Sequence, residues 1–418
     1  MKDVLQKVLQ RIKPVENINK KINSIVSRIE RALKKCSIKA DVEIGGSIAK
    51  GTYLRGDHDC DLFVRFAQKY DDNKLSELLE KALKSTTLPI ERIHGSRDYF
   101  QTTIDDIDYE IVPVRKIKKP TEALNVTDCS YLHVMWVKKR ASEEVDGILL
   151  NDHIRIAKSF CKAQRVYGAE SYIGGVSGHV LDILILHYGG FKNFVEAVSK
   201  WDTKEIIDTE EYYKNKNDVL ASLNTAKKDS PLILIDPIDK ERNAAAALEQ
   251  KKYTKLTNMC KRICRHATLF MFNKHPLSKK NWVSTEKDII EISLSPIDNK
   301  KDIAGAKMRK VFEFILKKLD ENGFEVKDSE FWWDGRKKGI GLMYLPKQEI
   351  DKDFWHQGPP ITNSKGVKSF KEKHKNAIEK DGRLIVKLKR EYISVKKLLR
   401  ILKDSEYMEG RVKGYNIV

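Results

Sequence analysis

Apolar residues recur at helical spacing through the first forty positions. Val4, Leu5, Val8, Leu9 and Ile12 trace one amphipathic face, stopped near Pro14, and Ile22, Ile25, Val26, Ile29 and Leu33 trace a second. The period then falls to two. Val42 and Ile44 read as a strand, and Cys60–Phe66 as a strongly apolar one. A short helix follows on Leu75, Leu78, Leu79 and Leu83, then strand-like segments at 90–93, 99–104 and 107–114. Helices first, then strands around a turn, predict an α+β domain over residues 1–140. From His153 the period is helical again. Ile154, Ala157, Phe160, Cys161 and Gln164 share a face, with Lys158 and Lys162 on other faces. The nearly continuous apolar run Val180–Tyr188 predicts a helix buried in a second domain, residues 141–270. In the last third a strand at 289–294 leads to a helix on Val311, Phe312, Ile315, Leu316 and Leu319. Further strands at 324–333 and 340–345 complete a β-α-β-β order, which suits a small α/β layer within residues 271–418.

Candidate chemistry gathers between Val42 and Phe66. Gly45 and Gly46 end the first strand, so that backbone N–H groups and the Ser47 hydroxyl can approach a ligand closely. A turn of Gly56, Asp57 and His58 leads into the second strand, at whose mouth Asp59 and Asp61 stand two residues apart. Period-2 alternation puts both carboxylates on one face. Like charges held side by side call for a cation between them, and hard oxygen ligands suit Mg²⁺ carrying substrate phosphates. The order Lys50-Gly51-Thr52, with no helix pattern after it, is not that of a Walker phosphate loop. Two-metal phosphoryl chemistry needs a third carboxylate. The strand Ile107–Val114 offers Asp108 and Glu110 on the face opposite Tyr109 and Ile111.

Charge adds a class of partner. The 418 residues carry 79 Lys and Arg against 60 Asp and Glu, a net of +19, which points to a polyanion such as RNA or DNA. Between Lys365 and Lys413 stand 16 basic and 7 acidic residues, so a net of +9 sits in an eighth of the chain. That tail is the expected backbone-gripping surface. The six cysteines are scattered, which argues for reduced thiols in a cytoplasmic setting. Cys260 and Cys264 sit four apart without a second Cys/His pair to make a zinc site. No apolar run is long enough for a membrane span, and no secretory signal opens the chain.

Gly45-Gly46-Ser47 followed by Asp59-Cys60-Asp61 resembles the signature of the DNA polymerase beta-like nucleotidyltransferase superfamily. Three further elements narrow the likeness: Tyr167-Gly168-Ala169-Glu170, Gly174-Gly175-Val176-Ser177-Gly178, and Asp236-Pro237-Ile238-Asp239 leading to Arg242-Asn243. Together these resemble the archaeal-type, class I, CCA-adding tRNA nucleotidyltransferases. The resemblance implies template-independent addition of CCA to the 3′ end of tRNA from CTP and ATP, with two Mg²⁺ ions. It implies that Asp59, Asp61 and Glu110 hold the metals and that Gly46, Ser47, Lys50 and Lys158 serve the triphosphate. Ser130 and His133 would face the sugar and phosphates, Tyr167 would stack or bond at the nucleotide, and Arg242, its loop braced by Asp236, would read the base. Glu110 stands where the family usually carries Asp, and Lys50 where it commonly carries Arg.

Two other readings share these residues. One is a sister enzyme, a poly(A) polymerase or an oligoadenylate or cyclic-dinucleotide synthase. The other is a non-catalytic RNA-binding protein on the same fold. A homodimer is compatible with each of them.

Overall fold

The computed structural model describes residues 1–16, 18–56, 59–282, 288–298 and 300–417, so Asp57 and His58 of the expected turn lie outside the described residues. The chain divides into two compact units, Met1–Lys274 and His275–Val418.

In the first unit, helices α1 (Lys2–Ile12) and α2 (Asn19–Lys35) precede strand β1 (Ala40–Ile44) and the one-turn helix α3 (Gly46–Ala49). That turn ends before Lys50-Gly51-Thr52, and residues 51–56 after it hold no helix. Strand β2 (Asp59–Phe66), helix α4 (Leu75–Lys84) and strands β3 (Glu91–Ile93), β4 (Tyr99–Ile104) and β5 (Ile107–Arg115) complete a sheet of order β1-β2-β5-β4-β3. Within it β2 and β5 run parallel and the other pairs antiparallel. Ile22, Ile25, Ile29 and Leu33 of α2 and Leu75, Leu79 and Leu83 of α4 pack on one face, against Leu62, Val64, Phe100, Tyr109 and Ile111. Period 2 sends the polar residues of β2 and β5 to the other face.

Helices α5 (Ser130–Ala141), α6 (Leu150–Ala163) and α7 (Gly178–Tyr188) build a second core with later helices, into which Leu5 and Val8 of α1 also pack. Helix α6 is buried nearly all round. Lys158, expected on a face away from the core, is therefore only 5% exposed. A parallel pair of strands, Glu205–Asp208 and Leu232–Ile235, delivers the loop from Asp236 to Arg242.

In the second unit, strand Ile289–Pro296 is followed by helix Lys301–Glu321 and strands Asp328–Trp332 and Gly339–Tyr344, the expected β-α-β-β order. Strand Val412–Ile417 returns to pair with Ile289–Pro296, closing a four-stranded sheet. The basic tail is folded: its strands Arg383–Lys389 and Ile378–Lys380 form a three-stranded sheet with Asp353–Pro360, which precedes the tail, and Ser364–Lys373 and Val395–Lys403 are helices. No helix among the described residues is long and apolar enough to cross a membrane.

Candidate active site

The parallel pairing of β2 with β5 places Asp61 opposite Glu110 and Asp59 opposite Asp108. Residues in register on parallel strands share a face, so the four acids line one side of the sheet. Their partners separate them. Asp108 accepts a hydrogen bond from Thr103 Oγ1 at 2.6 Å, and Glu110 accepts one from Gln101 Nε2 at 2.9 Å. Burial, then the neighbouring Glu110 and Asp59 carboxylates, push Asp61 up to about 7, while Lys50 pulls it down. A carboxyl so strained by its own kind is what a shared divalent cation relieves, and an all-oxygen donor set fits Mg²⁺.

The two glycines before α3 are required by this arrangement. Gly46 has φ +53°, and a Cβ there would fall on Asp61 Oδ2; a Cβ on Gly45 would enter the Phe63 ring. The Gly45 N–H donates to Asp61 O at 2.7 Å, so the turn is stitched directly to the acidic strand. Ser47 lies in α3, half-buried, and its carbonyl accepts from Thr52 N at 2.8 Å.

From Thr52 the contacts pass to α6 and α7. Lys158 Nζ donates to Thr52 Oγ1 at 2.9 Å and Thr52 O at 3.2 Å, and lies 4.0 Å from Asp182 Oδ1. Lys50 Nζ donates to Asp182 Oδ2 at 2.7 Å. Asp182 was not singled out in the sequence, yet it is 1% exposed and faces both lysines. Against its burial, Lys50 and Lys158 hold its carboxyl below the usual range. Burial lowers Lys158 from 10.5 to about 8 even though Asp182 opposes the shift. Tyr167 joins this group: its hydroxyl would meet a Cβ on Gly178, as would Lys158 Cε, and Lys162 Nζ sits 4.9 Å above its ring. Burial raises the Tyr167 phenol, and Asp182 adds to the shift.

A second hub is Asp236, fully buried. Its Oδ1 accepts from Ile238 N at 2.9 Å and lies 2.8 Å from His133 Nε2; its Oδ2 accepts from Arg242 Nη1 at 2.7 Å and lies 3.1 Å from His179 Nε2. Against the effect of burial, the two imidazoles hold Asp236 far below the ordinary carboxylate range. Burial pushes His179 down to about 4, so it is neutral and directs an Nε2–H at Asp236. The ligand atoms of His133, His179 and Asp236 lie within 4.8 Å of one another, a spacing a metal could use. Arg242 on the same carboxylate makes it instead a hydrogen-bonded cluster, since a guanidinium and a cation would compete for one oxygen. Arg242 keeps 32% of its side chain exposed, and Ser130 stands half-buried at the start of the helix that carries His133.

The expected residues therefore fall into three groups on neighbouring elements: Asp59, Asp61 and Glu110 with Gly46 and Ser47; Lys50, Lys158 and Tyr167 around Asp182; and Ser130, His133 and Arg242 around Asp236. Asp182 and His179 were missed because α7 reads as an apolar helix. A single acid amid Val180, Leu181 and Ile183 was the available signal, since such an acid needs a buried cation.

Comparison with known proteins follows the same order along the chain. The nucleotidyltransferase domain family matches residues 26–129, the second domain of tRNA nucleotidyltransferase matches 152–273, and the C-terminal domain of CCA-adding enzyme matches 288–413. The CCA-adding enzyme of Nanoarchaeum equitans is 38% identical over 82% of this chain and 82% of its own length. That of Methanocaldococcus jannaschii is 26% identical over 99% and 93%. A solved structure of the Cid1 poly(U) polymerase bound to MgATP superposes with a TM-score of 0.53 at 11% identity, covering 65% of this chain and 98% of that one, a likeness of fold. With all three domain families in order and a relative of this identity spanned over four-fifths of its length, the chain belongs to the family of CCA-adding enzymes.

Proposed function

We propose that this chain adds CMP and AMP from CTP and ATP to the 3′ end of tRNA, without a nucleic-acid template, in the cytoplasm. The observation that carries the chemistry is the register of Asp61 against Glu110 beside the Gly46 turn. Asp59, Asp61 and Glu110 would hold two Mg²⁺ ions. Bound there, the ions would supply charge neutralisation at the α-phosphate and at the attacking and leaving oxygens. Glu110 takes the proton of the tRNA 3′-hydroxyl as that oxygen forms its bond to the α-phosphorus. The bond to the β-phosphate oxygen breaks, and pyrophosphate leaves with the electron pair. Gly46 and Ser47 receive the outgoing phosphates, with Lys50 and Lys158 supplying positive charge beside them. Tyr167 packs at the nucleotide, Ser130 and His133 face its sugar and phosphates, and Arg242 presents its exposed guanidinium to the base.

The deciding experiment is incubation of the purified chain with Mg²⁺, labelled CTP or ATP, and tRNA lacking its 3′ end. Addition of two C and one A is expected. Long A tails, or products formed without RNA, would assign the fold to a poly(A) polymerase or an oligoadenylate or cyclic-dinucleotide synthase instead. Asp59→Ala is expected to abolish addition while leaving tRNA binding near wild type, and a variant that still turned over would discredit the metal assignment. Sedimentation with and without tRNA reports whether the working form is a homodimer.

A further inference from the structure

Helix α5 has two working faces. His133 points to the Asp236 cluster, whereas Leu132, Met135, Trp136 and Lys139 recur at i, i+3, i+4 and i+7 along another side. That other side floors a cleft of about 730 Å³, whose opposite wall includes Tyr212 and Ile238. Lys118, Lys138 and Lys139 rim it, all exposed, and no acid lines it among the described residues. Met135 is 48% exposed and Tyr212 43%. Glu210, close by, accepts from Trp136 Nε1 at 2.9 Å and from Arg140 Nη1 at 2.8 Å, so its charge is already matched and the indole is held in place.

Apolar and aromatic side chains ringed by lysines are costly to leave in water unless something covers them. A second copy of the chain, docked about a two-fold axis, would press this lysine rim against its own duplicate. An RNA strand carries what the cleft lacks: phosphates for the lysines, and flat base or sugar faces for Met135, Trp136 and Tyr212. The wall is also continuous with the base-facing loop, because the Tyr212 hydroxyl donates to Pro237 O at 2.7 Å and Pro237 follows Asp236.

We infer that this cleft, on the side of α5 away from the Asp236 cluster, is a docking surface for a strand of the RNA substrate, separate from the basic second unit. The inference rests on the RNA-substrate reading, and its test separates the two. Binding of tRNA to the full chain is measured against salt for wild type, Lys138→Glu/Lys139→Glu, Met135→Asp, and Lys20→Glu/Lys21→Glu. The last pair makes the same change in net charge at exposed positions of α2. Each lysine lost from a phosphate contact should lower the slope of log K against log salt by on the order of 0.7–0.9. The cleft variants are expected to weaken tRNA binding about tenfold or more at 0.1 M salt, and the α2 pair less than about threefold. A benzophenone side chain at position 135, in an otherwise wild-type chain, is expected to crosslink to tRNA. Equal losses from the two lysine pairs would overturn the inference, reducing it to net charge. So would Met135→Asp dissociating a wild-type dimer with tRNA affinity unchanged, or a crosslink to protein alone. Failure of the wild type to incorporate CTP would instead count against the CCA-adding reading, whatever the binding data.

Discussion

Removing the Asp182 carboxylate tests the link between the glycine turn and the helices. Lys50 and Lys158 keep only 10% and 6% of their side chains exposed, and Asp182 is the carboxylate that faces both. Its Oδ2 bonds Lys50, while its Oδ1 makes no hydrogen bond, so Lys158 feels it through charge at 4.0 Å. Asp182→Asn keeps the shape and takes the nearest carboxylate from two largely buried ammonium groups, although Asp61 still attracts both. Breaking a buried pair from one side costs about 3–5 kcal/mol. The pH dependence carries the diagnosis. Lys158 already titrates at about 8 instead of 10.5, so between those values the unfolded chain binds more protons and wild-type stability rises with pH. Without Asp182 the folded pKa falls further, so the window opens lower and the deficit shrinks as Lys158 neutralises. Urea melts at pH 6.5, 7.5, 8.5 and 9.5 should show the largest loss at the lowest pH. A loss below about 1 kcal/mol at pH 7, or one constant across the series, would refute the reasoning.

Three further outcomes follow from named contacts. Gly46→Ala puts a methyl onto Asp61 Oδ2 at a positive φ, and should cost about 1–3 kcal/mol in melts and 10²-fold or more in nucleotide addition. Asp128 is 1% exposed and accepts from Arg97 Nη1 at 2.6 Å, Arg115 N at 2.8 Å and Asn125 N at 3.0 Å, which hold it below the usual range against the effect of burial. Its contribution is complete above about pH 4 and is lost as pH falls through the lowered value, so Asp128→Asn should cost about 3 kcal/mol or more at pH 7 and progressively less in acid melts. Asp236→Asn turns one acceptor oxygen into a donor facing His133, His179 or Arg242; it should raise the KM for CTP and ATP by roughly 10-fold or more, whereas unchanged constants would detach Arg242 from the nucleotide.

Helix and strand periods placed the sheet, the buried α7 and the order of the second unit, because burial of one face writes itself into local spacing. That Asp59 and Asp61 share one face, and Asp108 and Glu110 another, was legible for the same reason, since alternation fixes a face. That Gly45 and Gly46 clear room for Phe63 and Asp61 was not, because those contacts are made across strands. Lys158 was misjudged because helical spacing names faces without saying how many of them are covered, and α6 is covered on nearly all of them. In the basic tail Val395, Leu398, Leu399 and Leu402 do carry a helical period, but the reading of that stretch rested on its charge, and its short strands gave little pattern beyond Leu384–Val386.

By itself the sequence determined which residues alternate and where positive charge accumulates, since each follows from neighbours a few positions away. Only the tertiary structure decided that Lys50 turns onto Asp182, 132 residues on, and that Asp236 gathers His133, His179 and Arg242. A buried charge is matched by whichever opposite charge the packing brings within a few ångströms, and that distance is set by helices and strands meeting in space.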